Sequence, residues 1–124
     1  MVKVLVIDDS ERLREVFFEY FKILDFQTFL AEDGQKGLEE YEKCKPDIII
    51  VDMIMPVMGG RDFILNLRKL PHASKTPIII ISAYVSVHEL MDVLKAGANY
   101  FMKKPIVFDE LKAQIELALK YSRS

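Results

Sequence analysis

Cysteine is almost absent from this 124-residue chain: Cys44 is the only one, so no internal disulfide can form, and a reducing, cytoplasmic setting fits. It sits in Glu42-Lys43-Cys44-Lys45, the polar end of a helix-like segment, and reads as an ordinary surface thiol. Long apolar runs are missing too. Val4 to Ile7 is cut off at once by Asp8 and Asp9, far short of the roughly 20 residues that a membrane span or the shorter stretch that a signal peptide needs. Charge of one sign is also lacking: 17 basic against 19 acidic residues leave a net charge of -2 with no basic stripe, which disfavours direct binding of nucleic acid. Glycine is scarce, with five in all; no G-x-G-x-x-G follows the first apolar run, and Gly59-Gly60 lacks the Lys-Ser/Thr of a phosphate-binding loop, so nucleotide binding is not expected. The two histidines, His72 and His88, have no matched Ser or Cys nucleophile motif and read as surface residues.

What is present is the balance of a globular domain: 51% hydrophobic and 29% charged residues, at a length that suits one domain over residues 1–124. Val4 to Ile7, Ile48 to Val51, Ile78 to Ile81 and, more weakly, Phe29 to Ala31 are continuous apolar runs rich in β-branched residues. They do not alternate with polar residues, and so read as strands buried on both faces of a parallel sheet. Between them the period changes. Leu13, Val16, Phe17, Tyr20, Phe21 and Leu24 form a stripe at steps of three and four behind Ser10 as N-cap. Shorter stripes follow at Leu38 and Tyr41; at Phe63, Ile64 and Leu67; at Val87, Leu90, Met91 and Leu94; and at Phe108, Leu111, Ile115, Ala118 and Leu119. Gly34, Pro46, Pro56 with Gly59 and Gly60, Pro71, Pro77, Gly97 and Pro105 fall between the segments, leaving a fifth strand at Asn99 to Lys103. Five alternations of strand and helix imply right-handed crossovers and a three-layer α/β sandwich, doubly wound around a parallel five-stranded sheet.

Ligands of such sheets bind beyond the carboxyl ends of the strands. The first strand ends in Asp8 and Asp9, the third in Asp52, the fourth in Ser82, and the fifth runs into Lys104 ahead of Pro105. Taken singly, each has an ordinary structural role: helix capping for Asp8 and Asp9, turn chemistry for Asp52, a cap for Ser82, a solvated loop position for Lys104. Five such groups on one sheet edge are hard to explain as independent caps. Three converging carboxylates repel one another unless a cation joins them, and a purely oxygen donor set suits hard, octahedral Mg2+ in place of zinc. Mg2+ that retains open positions commonly meets phosphate, and an ammonium with a hydroxyl can bind the equatorial oxygens of a phosphoryl group in transfer. The series Met53, Met55 and Met58 reads as packing beneath the adjoining loop.

The residues that carry this pattern resemble the receiver domain of two-component response regulators along the whole chain: V-L-V-I-D-D-S at 4–10, D-I-I-I-V-D-M-I-M-P-V-M-G-G at 47–60, P-I-I-I-I-S-A at 77–83 and K-A-G-A-N-Y-F-M-K-K-P at 95–105. The resemblance implies a flavodoxin-like strand order 2-1-3-4-5. It implies a phosphoprotein of two-component signal transduction, with Asp52 as phosphoacceptor, Asp9 and Asp52 as direct Mg2+ ligands, Asp8 as a ligand through water, the carbonyl of Ile54 as a further ligand, and Ser82 and Lys104 on the phosphoryl oxygens. A sensor histidine kinase or phosphotransfer protein would donate the group, and the receiver would catalyse its own phosphorylation and dephosphorylation. Ser82 and Phe101 would then form the switch: Ser82 moves to the phosphoryl group, Phe101 turns inward, and the face of helix 4, strand 5 and helix 5 changes for an effector protein.

This sequence departs from that family at three places. Gly59 stands where the family has Asp or Asn, which removes a loop-capping side chain. Phe101 lacks a hydroxyl, while Tyr100 beside it has one that alternation points the other way. Ile54 and Tyr84, each two positions past a key residue, line the approach to the phosphoryl group, where they would restrict an attacking water. The reading is a receiver with no output domain encoded after the helix near Tyr121, monomeric or dimerising on phosphorylation, without nucleic acid or membrane as direct partners. Its rivals are a receiver cut from a larger DNA-binding transcriptional regulator, a pseudo-receiver that only binds partners, and an Asp-nucleophile phosphatase, which would need a substrate-covering cap.

Overall fold

Isoleucine and valine supply nearly all of the central strands, and the computed structural model, which describes residues 1–83 and 85–122, builds them into one sheet. Strands β1 (Lys3–Ile7), β2 (Gln27–Ala31), β3 (Ile48–Asp52), β4 (Ile78–Ser82) and β5 (Tyr100–Lys103) alternate with helices α1 (Glu11–Ile23), α2 (Gly34–Cys44), α3 (Gly60–Arg68), α4 (Val87–Ala96) and α5 (Phe108–Ser122). Every pairing is parallel, in the order β2-β1-β3-β4-β5. The expected fold class and strand order are therefore found. A short 3-10 turn at Pro71–Ala73, which no apolar period announces, is added between α3 and β4.

Alternation within the strands sorts the core into two layers, although both faces are apolar. Leu5, Ile7, Ile49, Val51, Ile78 and Ile80 meet Tyr41 of α2, Phe63, Ile64 and Leu67 of α3 and Val93 of α4. Val4, Val6, Ile48, Ile50, Ile79 and Ile81 meet Phe17 and Phe21 of α1 and Leu111, Ile115, Ala118 and Leu119 of α5. Each such side chain contributes about 1.5–3 kcal/mol by leaving water. Phe101 packs on the first layer and Tyr100 on the second, as alternation predicts. β2, at the sheet edge, is the exception to strands buried on both faces: Gln27 is exposed and Thr28 to Leu30 are only half-buried.

Three other expectations are corrected. In α1 Ser10 is the N-cap, its hydroxyl accepting the Leu13 N–H, but Val16 faces solvent and Phe17 and Phe21 carry the contact. Of the α4 stripe Val87, Leu90, Met91 and Leu94, only half-buried Leu90 packs on the core, beside buried Val93, and the other three are exposed. Apolar residues occur on both sides of this helix, so period alone selects no face. Cys44 is no surface thiol. It is buried at the end of α2, and burial pushes its pKa up to about 11, so the thiol is inert at neutral pH. Both histidines are exposed, as expected.

Candidate functional site

The carboxyl ends of β1, β3 and β4 lie side by side because these strands are neighbours in the sheet, and each hands its last polar group to the same edge. Asp8 is wholly buried, Asp9 is exposed, and Asp52 and Ser82 are buried. One carboxylate oxygen from each of Asp8, Asp9 and Asp52 lies within 4.8 Å of the others. The backbone prepares this: the Asp8 N–H donates to the Ala31 carbonyl at 3.1 Å, and the Met53 N–H to the Ile81 carbonyl at 3.0 Å, continuing the sheet pattern past the strand ends.

Asp8 divides its two oxygens. Oδ1 accepts the Ser10 N–H at 2.9 Å and so shapes the entry to α1. Oδ2 is buried without a hydrogen bond, its nearest cation being Lys104 Nζ at 3.4 Å. The same ammonium stands 3.3 Å from Asp52 Oδ2, which makes Lys104 a bridge between the two buried carboxylates. Lys104 is held there by its own N–H, which donates to the Ser82 carbonyl at 2.9 Å, and it precedes a cis peptide bond to Pro105. One ammonium cannot balance three carboxylates. Desolvation pushes the Asp52 carboxyl above its ordinary value, Asp8 adds to the rise, Lys104 opposes it, and Asp9 adds a little more.

The site thus has an excess of negative charge, an oxygen-only donor set and a buried carboxylate oxygen lacking a donor. Those features fit a hard divalent cation. The loop between β3 and α3 borders the site. Gly60 begins α3 so close to the sheet that a Cβ there would stand 2.5 Å from the Asp52 carbonyl oxygen, and its N–H donates to the Met53 carbonyl at 2.9 Å. Gly59 is the N-cap of α3 and has no side-chain capping bond, as its departure from the family pattern predicts. Met53, Met55 and Met58 pack beneath the loop on the first core layer, whereas Ile54 is 70% exposed at its outer side. Tyr84 lies outside the described residues.

The sequence model of the response regulator receiver domain matches residues 4–116. The chain belongs to the response regulator receiver family. It is 33% identical over 120 residues to the KDP operon transcriptional regulatory protein KdpE of Escherichia coli, with 97% of this chain and 52% of that protein covered. It is 30% identical over 118 residues to the regulatory protein AtoC of Escherichia coli, with 95% and 25% covered. The receiver therefore spans about half, or less, of these relatives. Among solved structures it resembles the Vibrio cholerae chemotaxis protein CheY4, with a TM-score of 0.91 and 28% identity over 95% of this chain and 98% of that one. It also resembles the receiver domain of the Francisella response regulator 1452, with a TM-score of 0.88 and 30% identity over 98% and 99%. Such domains are phosphoacceptors in signalling that bind a divalent metal in an acidic pocket and interact with histidine kinases and effector domains.

Two features of this receiver's site are invisible to strand-end reading. The Arg14 guanidinium donates to the Asp8 carbonyl at 2.6 Å, pinning the β1–α1 turn from within the helix. The Gly34 N–H donates to the Met58 carbonyl at 2.9 Å, joining α2 to the β3–α3 loop. The sequence marks Gly34 only as a breaker. Among the described residues, no helix is long and apolar enough to cross a membrane.

Proposed function

We propose that Asp52 is the phosphoacceptor of this receiver. The observation that carries the reading is the bridged pair: two buried carboxylates, one with an oxygen lacking a hydrogen bond, both within 3.4 Å of the single ammonium of Lys104. Asp9 and Asp52 would hold Mg2+ directly, Asp8 through water, with the Ile54 carbonyl as the remaining protein ligand. When bound, the cation supplies charge neutralisation for the phosphoryl oxygens.

Asp52 attacks the phosphorus of a phosphohistidine on a sensor kinase or phosphotransfer protein; the new bond is O–P, the bond broken is P–N, and the departing imidazole takes up a proton. Lys104, already at carboxylate distance, shifts its donor to a phosphoryl oxygen, and Ser82 donates a second hydrogen bond. Burial and Asp8 disfavour the ionised carboxylate that attacks, and the Lys104 ammonium at 3.3 Å favours it and holds it oriented. Hydrolysis by the same site returns the domain to its resting state. Ile54, exposed beside Asp52, limits the access of water, so the acyl phosphate is lost slowly.

The output is a change of the α4–β5–α5 face. Phe101 is half-buried between two recesses, one of about 480 Å³ toward Glu110, Gln114 and Leu117 of α5, the other of about 260 Å³ toward Val87 and Leu90 of α4. Movement of Ser82 toward the phosphoryl group, with Phe101 turning inward, alters the face an effector reads. The protein acts in the cytoplasm, as a monomer or a phosphorylation-dependent dimer. A second reading, a receiver that is one part of a DNA-binding transcriptional regulator, is favoured by the names of the curated relatives and the share of their length that this chain spans. Incubation with a small acyl phosphate, followed by peptide mapping, tests the acceptor: modification at any carboxylate other than Asp52 contradicts the assignment.

A further inference from the structure

Val57 adopts a left-handed backbone, φ 67°, with 84% of its surface exposed. A β-branched residue is unfavourable there, and burial of its side chain provides no compensation. The turn it centres is closed by the Met58 N–H donating to the Pro56 carbonyl at 2.7 Å, a γ-turn of the strained, positive-φ kind. Something outside the turn must therefore hold it. The inner end of the loop is fixed by the Gly60 N–H on the Met53 carbonyl. The outer end has no side-chain cap, because Gly59 is the N-cap of α3. The holding contact is Met58: its side chain packs on the core layer beneath α2 and α3, and its carbonyl accepts the N–H of Gly34, the first residue of α2. That amide is one of the helix-terminal donors with no partner inside the helix. The fit leaves no slack, since a Cβ at position 34 would stand 2.7 Å from both the carbonyl oxygen and Cγ of Met58.

We propose that the Gly34–Met58 contact is a positioning contact for the cation: α2 clamps the strained turn, and the clamped turn sets where the Ile54 carbonyl stands relative to Asp52. The inference rests on the cation reading above. Ile54 lies between the two anchors of the loop, so a shift of Met58 is transmitted through Pro56 and Met55 to its carbonyl. Mg2+ is sensitive to such a shift because it demands near-ideal octahedral geometry at about 2.0–2.1 Å.

Calorimetric titration of the full, unphosphorylated chain with MgCl2 tests this. Gly34→Ala should raise the Mg2+ Kd about tenfold, the low end for losing a group that orients a metal ligand. Val57→Gly, which relaxes the turn at an exposed position, should raise it in the same direction. Gly37→Ala is the control on the same helix, since a Cβ there meets Ile7 and Phe63 in the core and not the loop; it should lose stability and keep its Kd. Wild-type affinity in Gly34→Ala overturns the proposal, as does a Gly37→Ala chain that weakens as much as Gly34→Ala. Should Gly34→Ala not fold, an unchanged Kd in Val57→Gly is enough to overturn it. Asp9→Asn distinguishes loss of the cation site from loss of the clamp. If it binds Mg2+ as wild type does, the cation reading fails and this inference with it; if it weakens while Gly34→Ala does not, only the positioning role fails.

Discussion

Burial and Asp8 both oppose the charge of Asp52, so the folded chain holds the Asp52 proton more tightly than the unfolded chain does. The resulting loss of stability is absent below the ordinary carboxylate range, grows as pH climbs towards the raised Asp52 value, and is complete only above it. Asp52→Asn should therefore raise the Tm of the metal-free protein at pH 7, and the gain should vanish near pH 3. Melting curves in chelator at the two pH values check this. Mg2+ at ten times its Kd should raise the wild-type stability by about 1.4 kcal/mol and the Asp52→Asn stability by less. At the neighbouring exposed position, replacing Ile54 with a polar residue should speed loss of the phosphoryl group, read as the decay of phosphoprotein; an unchanged decay rate counts against its shielding role. At this scale strand ends in the sequence reveal Asp8, Asp9, Asp52, Ser82 and Lys104, because a polar residue closing an apolar run is a local signal. The burial of Cys44 is hidden for the complementary reason: its sequence neighbours are charged, and burial is decided by what lies across the chain.

α3 and the α4–β5 connection are joined by Arg68, whose guanidinium donates to the carbonyls of Gly97 and Ala73 and to the Asn99 side chain at 2.7–3.2 Å. Asn99 Oδ1 also accepts the Ile78 N–H at 2.8 Å, so one side chain organises the C-terminus of α4, the 3-10 turn and the start of β4. Burial lowers the Arg68 pKa, and no carboxylate partner offsets it among these bonds. Arg68→Ala should cost about 2–3 kcal/mol by stranding those acceptors, and Arg68→Lys should not restore the loss because the planar fork is what spans them. Urea denaturation measures both. Met91→Ser on the solvent side of α4 should change stability by no more than about 0.5 kcal/mol, the opposite of what its place in an apolar stripe suggests. Elements were legible wherever apolar period and breakers coincide, as in α1 and β3. The choice of buried face in α4 is not, since Val87, Met91 and Leu94 repeat at helical spacing with Leu90 as convincingly as Val93 does, and only the sheet decides between them.

The whole molecule is a device for placing charge. Three central strands buried on both faces, with half-buried β5 beside them, bring the carboxylates of β1 and β3, the hydroxyl of β4 and the ammonium beyond β5 to one edge, where none could be assembled by local sequence. That convergence was legible because alternating strands and helices allow few topologies, and the strand order came with the family resemblance. The contact of α2 with the β3–α3 loop was not legible, because a backbone amide and a backbone carbonyl leave no mark in residue identity. We propose that this edge takes up a phosphoryl group on Asp52 with the help of a divalent cation. Intact mass after incubation with acetyl phosphate, for wild type and Asp52→Ala, with Mg2+ and with chelator, tests it most directly. A single added phosphoryl group, about 80 Da, is expected on the wild type with Mg2+ and none in the other three samples; addition that survives Asp52→Ala, or that proceeds equally in chelator, contradicts the assignment.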